Sequence, residues 1–284
     1  DEEVEAFPGK IAEGSFTWED FIALCQEVQE KGLVEWGMLH RPGKGNDFLD
    51  VLRMYGSPYY NEEGKLVVNQ DTVTGFFQFI YDAANTLKIT PQDITQRVWT
   101  DIQKMVGEGD AFAYYGPVFS STYVAAEANL TPEELAESIG FALFPKSEKN
   151  EAPFTVAAPQ SVSISAHTEY PEICKALLEE VYAGDSVKEL AVHGDTIFSL
   201  TSVTKANEME EITTNPILEK IGYMADYVVT TPPIEGESVF RDELFKQIVL
   251  LELGQVTPED AFKDFKVQVE LNVDEDEVVF ELNE

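Results

Sequence analysis

Phe112, Tyr114, Tyr115 and Phe119 stand on either side of Gly116-Pro117, and Trp99 opens the amphipathic segment that leads into them. A short helix running into a small-residue strand, and then into an aromatic turn, presents ring faces and backbone amides to whatever fills the adjacent cleft. Flat apolar faces beside hydrogen-bond donors suit a sugar or another small polar molecule, held without making or breaking a bond. The competing reading is that Phe112, Tyr114 and Tyr115 are strand residues packed in a core. The local sequence leaves both open.

Bond-making chemistry has weaker support. The chain holds 53 acidic residues, so a glycosidase-type carboxylate dyad is conceivable, but no pair stands out from that background. No Ser-His-Asp arrangement, zinc motif or phosphate-binding loop occurs. His40, His167 and His193 show no metal-ligand spacing with one another or with cysteine. Cys25 and Cys174 each sit among apolar residues in a helical pattern and read as free, buried thiols, with a disulfide as the unsupported alternative. The acidic run Asp274–Glu277 matches no calcium-loop spacing and reads as a solvated turn. No metal and no cofactor is expected. An acidic glycoside hydrolase remains the enzyme alternative.

The 284 residues suffice for two domains of ordinary size or one large one, and 44% apolar content supports a real core. Against the 53 acids stand 19 basic residues, a formal charge of -34. Phosphate backbones and anionic membrane surfaces would be repelled, so no nucleic-acid partner is expected. No apolar run is long enough to span a bilayer. The opening Asp1-Glu2-Glu3-Val4 is no signal peptide and reads as a processed or truncated end.

The elements that would position these residues alternate between helix and strand. Residues 1–16, with Pro8 and Gly9, read as an extended lead-in. Thr17 to Asp20 is a capping signature for a helix with Trp18, Phe21, Ile22, Cys25 and Val28 on one face. Residues 33–39 read as a strand, the loop from His40 to Asp47 as polar and glycine-bearing, and 48–55 as a short helix. Residues 61–69 resemble a hairpin, and 71–88 an amphipathic helix. Thr131-Pro132 starts another helix, 140–145 reads as a buried strand, and 153–165 as two short strands. Residues 171–183, 185–193, 216–227 and 237–253 read as helices. For 171–183 the inward face would be Ile173, Leu177, Leu178 and Val181. Thr257 to Asp260 caps a last short helix, and 267–272 with 278–282 reads as a terminal hairpin. The class is α/β.

The order of these pieces resembles the extracellular solute-binding proteins of ABC importers, in the sugar-binding class of maltose-binding proteins. Thr17-Trp18-Glu19-Asp20-Phe21 resembles the family's helix start. Tyr55-Gly56 with the Gly64-Lys65 turn resembles its hairpin, and Phe112 to Phe119 its aromatic Gly-Pro segment. Gly140 to Pro145, Ser163-Ile164 with Pro171-Glu172, and Gly254 to Ala261 resemble its later motifs in the same order. There are departures. Val118 stands where the family often has Trp, Ala158-Pro159 where it has Gly-Gly, and the tail after Lys266 leaves the pattern.

The resemblance implies a periplasmic-binding-protein-like two-lobe α/β fold (type II), with the first segment of the N-terminal lobe missing from this sequence. Residues 1–157 would form mainly the C-terminal lobe, 158–205 a returning segment of the N-terminal lobe, and 206–284 a return to the C-terminal lobe plus a tail. It also implies reversible binding of a sugar or oligosaccharide between lobes, delivery to a membrane ABC permease, and an extracellular or periplasmic location through a signal or anchor not present here. The missing lobe portion is then either cleaved, outside this sequence, or supplied by another chain or segment. Carried over by position, Arg41, Asn46 and Asp47 supply hydrogen bonds, and Trp99, Tyr115 and Phe119 stack on ligand faces. Gln160 lies at a lobe crossing, and Phe240 starts the helix after Pro232-Pro233. A non-transport interaction module on the same fold is the other alternative.

Overall fold

Thr17 does what its spacing predicts. Its hydroxyl accepts from the Asp20 backbone N–H at 3.2 Å, and the Asp20 carboxylate accepts from the Thr17 N–H at 3.0 Å. This capping box starts helix α2 (Trp18–Glu30). The computed structural model describes residues 2–56, 58–157, 162–181 and 216–283. Ahead of α2 lies α1 (Glu2–Ala12), not the extended lead-in that Pro8 and Gly9 suggested. Burial of Ile11, with Phe7 and Phe16, against Leu143, Ile221 and Met224 outweighs the one backbone bond that Pro8 removes.

After α2 come β1 (Trp36–His40), α3 (Asp47–Leu52), β2 (Leu66–Asn69) and α4 (Gln70–Tyr81). Helix α4 continues into a π turn, Asp82–Thr86. Then follow α5 (Trp99–Glu108), β3 (Ala111–Tyr115), α6 (Ser120–Ala128), α7 (Pro132–Ser138), β4 (Thr155–Val156) and α8 (Pro171–Val181). The final set is α9 (Pro216–Ile221), β5 (Val228–Val229), α10 (Glu237–Glu252), α11 (Pro258–Asn272) and β6 (Val278–Glu281). The strands pair as β1 with β3, β2 with β6 and β4 with β5, each pair parallel. Parallel pairs need helical cover: α2 and α5 pack on β1 and β3, and α4 packs on β2. Phe48, Phe76, Phe77, Phe240 and Phe265, from α3, α4, α10 and α11, are enclosed at the centre of one core.

Several local expectations change. The turn at Asn61–Gly64 forms, with an antiparallel bridge between Tyr60 and Leu66, but the ladder of β2 is made with distant β6. Residues 267–272 belong to α11, not to a terminal hairpin. Ala261, Phe262, Phe265 and Val269 bury at helical spacing, while Val267 and Leu271, whose alternation with Val269 imitates a strand, face solvent. Residues 140–145 make a single bridge, Phe144 to Phe154, in place of a strand, and of 153–165 only β4 is a strand among the described residues. Helix α8 forms, yet its apolar face is not turned inward: Ile173 is 66% and Leu177 62% exposed. The helix expected at 185–193 lies outside the described residues, as do Ala158, Pro159 and Gln160.

Candidate binding site

Strands β1 and β3 run in register, Leu39 opposite Tyr114 and His40 opposite Tyr115, so they end side by side. The chain leaves β1 through the loop from Arg41 to Asn46 and enters α3. It leaves β3 through Gly116-Pro117 and enters α6. In open α/β sheets ligands bind beyond the carboxyl ends of the strands, and the predicted loop and turn are both found there.

Arg41 folds back over its own loop. Its Nη1 lies 3.2 Å from Asp47 Oδ2, and its guanidinium carbon lies 4.6 Å from the centroid of the Trp99 ring. A Cβ at Gly45 would stand 2.1 Å from Arg41 Nη1, so only glycine leaves room for this fold-back. A Cβ at Gly116 would stand 2.5 Å from the Tyr114 ring, which explains the glycine after β3. Helix α10 braces the same loop from outside: Arg241 donates to Asn46 Oδ1 at 2.6 Å, and Lys44 meets Asp242 at 2.8 Å.

Burial dominates the electrostatics. It raises the Asp47 carboxyl above the ordinary value, with the Arg41 charge opposing. It pushes the Tyr114 phenol up to about 12, eased by the nearby Ser120 hydroxyl. The Tyr115 phenol is raised further, by burial first and the Glu252 carboxylate second.

Of the expected site residues, Asp47 and Trp99 each meet Arg41. Phe119 sits at the start of α6 with 44% of its surface exposed, free to meet a ligand face. Asn46 is exposed but bonded to Arg241. Two rings differ from expectation. Tyr115 packs against His40 and Phe48, at ring-centroid distances of 5.3 and 6.0 Å, and is buried. Phe240 is fully enclosed between Tyr59 and Phe265, because Phe240, Leu244, Ile248 and Leu251 form the inward stripe of α10. It supports the site's scaffold instead of lining an opening. Gln160 lies outside the described residues.

The sequence reading passed over a buried pair. His40 Nε2 lies 2.7 Å from Glu252 Oε1, with both side chains 2% exposed. His40 Nδ1 lies 2.8 Å from the Arg41 carbonyl. A lone acid within Leu250-Leu251-Glu252-Leu253 is the signal that could have revealed it, since buried acids require partners. No three His, Cys, Asp or Glu side chains among the described residues converge on a metal position, and no described helix is long and apolar enough to cross a membrane.

A model of the bacterial extracellular solute-binding protein family matches residues 9–220. No curated protein matches the sequence. Among solved structures, the maltose/maltodextrin-binding domain MalE from Bdellovibrio bacteriovorus, bound to maltotriose, is similar at 18% identity with a TM-score of 0.69. That match covers 90% of this chain and 66% of that one. Maltose-bound MalE3 of T. maritima gives 17% identity, a TM-score of 0.66, and coverage of 90% and 65%. A sugar transporter from Arthrobacter chlorophenolicus with bound laminaribiose gives 14% identity, a TM-score of 0.73, and coverage of 94% and 68%. The chain thus spans about two thirds of the length of the structures it matches. Identities this low carry the fold, which is the two-lobe α/β fold of periplasmic binding proteins.

Proposed function

The chain belongs to the bacterial extracellular solute-binding proteins, and from that premise we propose that it binds a neutral sugar or oligosaccharide reversibly, outside the cytoplasmic membrane, for delivery to an ABC permease. The family's role is binding, not catalysis. The observation that carries the sugar reading is the Arg41–Asp47–Trp99 group beyond two parallel strand ends, with the exposed Phe119 ring on the neighbouring helix. Ring faces take the apolar faces of a sugar, and the fixed polar groups take its hydroxyl rim.

The local charges support a neutral ligand. Arg41 pairs with Asp47, Lys44 with Asp242 and Arg241 with Glu237, so each cation of the loop and its brace already faces an acid. An anionic ligand would have to displace one of these acids against a chain charge of -34. The solved structures named above hold maltotriose, maltose and laminaribiose, which supports oligosaccharides of this size as first candidates.

With this reading goes a division into lobes: residues 1–157 and 206–284 as one, and 158–205 as part of the other. The single core joining α2, α4, α10 and α11 supports it, as does the lack of any buried residue in α8. A thermal-shift panel on the full-length protein tests the function, because a ligand that binds only the folded state raises the midpoint. Maltotriose, laminaribiose and glucose are set against glucuronate. Stabilisation by neutral oligosaccharides supports the reading. Stabilisation by glucuronate alone, or by none at millimolar concentration, contradicts it.

A further inference from the structure

Glu252 closes α10, where the helix dipole disfavours an acid, and its carboxylate is almost wholly removed from water. Such a charge is tolerated only when paired and hydrogen-bonded. Helix packing does not call for it, since Leu251 next to it fills the core. The partner is His40, at the end of β1.

The hydrogen-bond directions follow from chemistry. The Arg41 carbonyl can only accept, so His40 Nδ1 carries a proton and donates it at 2.8 Å. A second proton then lies between Nε2 and Glu252 Oε1, held at 2.7 Å. The imidazole is further fixed edge-on to Phe48, at 5.1 Å between ring centroids, and tilted on Tyr115 at 5.3 Å. The far carboxylate oxygen, Glu252 Oε2, has no hydrogen-bond partner among the described residues, and the same holds for the Tyr115 hydroxyl.

The geometry points to Glu252 as a positioning residue of the binding loop: through His40 it fixes the Arg41 carbonyl, and so sets how the Arg41 side chain lies on Trp99 and Asp47. The inference rests on the saccharide reading of the cleft for its effect on affinity, though not for its effect on structure. Arg41 is the first residue after β1, and a carbonyl held from behind fixes the backbone from which its side chain reaches Asp47 and Trp99. Without the brace, the loop keeps its outer ties at Lys44 and Asn46 but loses the inner one. Glu252 thereby links the far end of α10 to the cleft.

The experiment compares Glu252→Leu with Glu252→Gln. Glutamine can donate its amide N–H to Nε2 while Nδ1 still serves Arg41, so it should rescue; leucine cannot. Acrylamide quenching of Trp99 is read as the difference between each variant with and without Trp99→Phe, which removes the signals of Trp18 and Trp36. Maltotriose affinity is read by calorimetry. Glu252→Leu is expected to raise Trp99 quenching about twofold and weaken maltotriose about tenfold, roughly 1.4 kcal/mol, with Glu252→Gln within about twofold of the parent. Unchanged quenching in a folded Glu252→Leu protein overturns the proposal. Changed quenching in a protein that binds no maltotriose leaves it standing and sinks the saccharide reading instead. Should Glu252→Leu not fold, nitrogen-15 NMR of the His40 ring decides, with His167 and His193 replaced by Gln. Both ring N–H signals should be protected from exchange and should shift on saturation with maltotriose. Exchange-exposed signals, or signals indifferent to bound ligand, overturn it.

Discussion

The guanidinium of Arg41 lies 4.6 Å from the centroid of the Trp99 ring and covers one face of the indole. The ring is partly exposed, and the proposed binding mode puts the ligand on the face that Arg41 leaves uncovered. A cation on an aromatic face contributes about 0.5–2 kcal/mol, depending on desolvation. Here it holds the ring in place from behind, while Asp47 holds the guanidinium.

Gly45→Ala tests that arrangement without touching either partner. The new Cβ would collide with Arg41 Nη1, the mobile end of a long side chain, so Arg41 moves and the backbone does not have to. The expected outcome is a change in Trp99 emission and an affinity loss matching that of Arg41→Leu, with the thermal midpoint shifted by no more than a few degrees. Calorimetry beside thermal unfolding checks it. Different affinity losses in the two variants would argue that Arg41 does not act through its place on Trp99.

Asp50 gives a pH dependence. Burial, with the Asp47 charge adding to it and Arg53 opposing, raises its carboxyl from 3.8 to about 7. The folded chain therefore keeps a proton that the unfolded chain has released. This contribution is complete below about 3.8 and is lost as pH rises towards about 7. Asp50→Asn should flatten that part of the stability-against-pH curve and raise the midpoint at neutral pH. Parallel curves for the two proteins in denaturant titrations between pH 4 and 7 would refute the assignment.

Gly37→Ala probes the seat of β1. A Cβ there would stand 2.7 Å from the Cys25 carbonyl oxygen, a backbone atom of α2 that cannot swing aside. Overpacking of this kind costs about 1–3 kcal/mol. Urea titration should show a lower midpoint with an unchanged slope. A neutral substitution would mean that α2 and β1 pack less closely than described.

Ile173→Ser and Leu177→Ser should leave the main core's unfolding midpoint within about 0.5 kcal/mol of the parent, as for other exposed positions. Both residues are more than half exposed on α8. A loss of several kcal/mol in either variant would mean that this face is covered in the protein as it exists.

The legible parts of the fold were those whose signal is local. Thr17, Thr131 and Thr257 cap helices as their spacing predicts, and Gly45 and Gly116 sit where side chains turn back on the chain. The illegible parts depend on distant partners. Nothing near Leu66 shows that it pairs with Val278, and the alternation of Val267, Val269 and Leu271 imitates a strand until Phe262 and Phe265 recruit Val269 to a helix face. Trp99 and Arg41 could each be singled out, but not their contact across the strand ends. Phe240 carried a family position into the core, because a helix start after a proline loop says nothing of which face turns inward. Glu252 escaped because a single acid among leucines looks like solvated helix until His40 is placed behind it.

The most direct test is Trp99→Ala, read by calorimetric titration with maltotriose beside thermal unfolding of the same full-length protein. Losing a stacking ring costs about one to a few kcal/mol of affinity, so binding should weaken roughly tenfold or more while the midpoint barely moves. A Trp99→Ala protein whose midpoint collapses, with affinity per folded molecule intact, would place Trp99 in the core and remove it from the site.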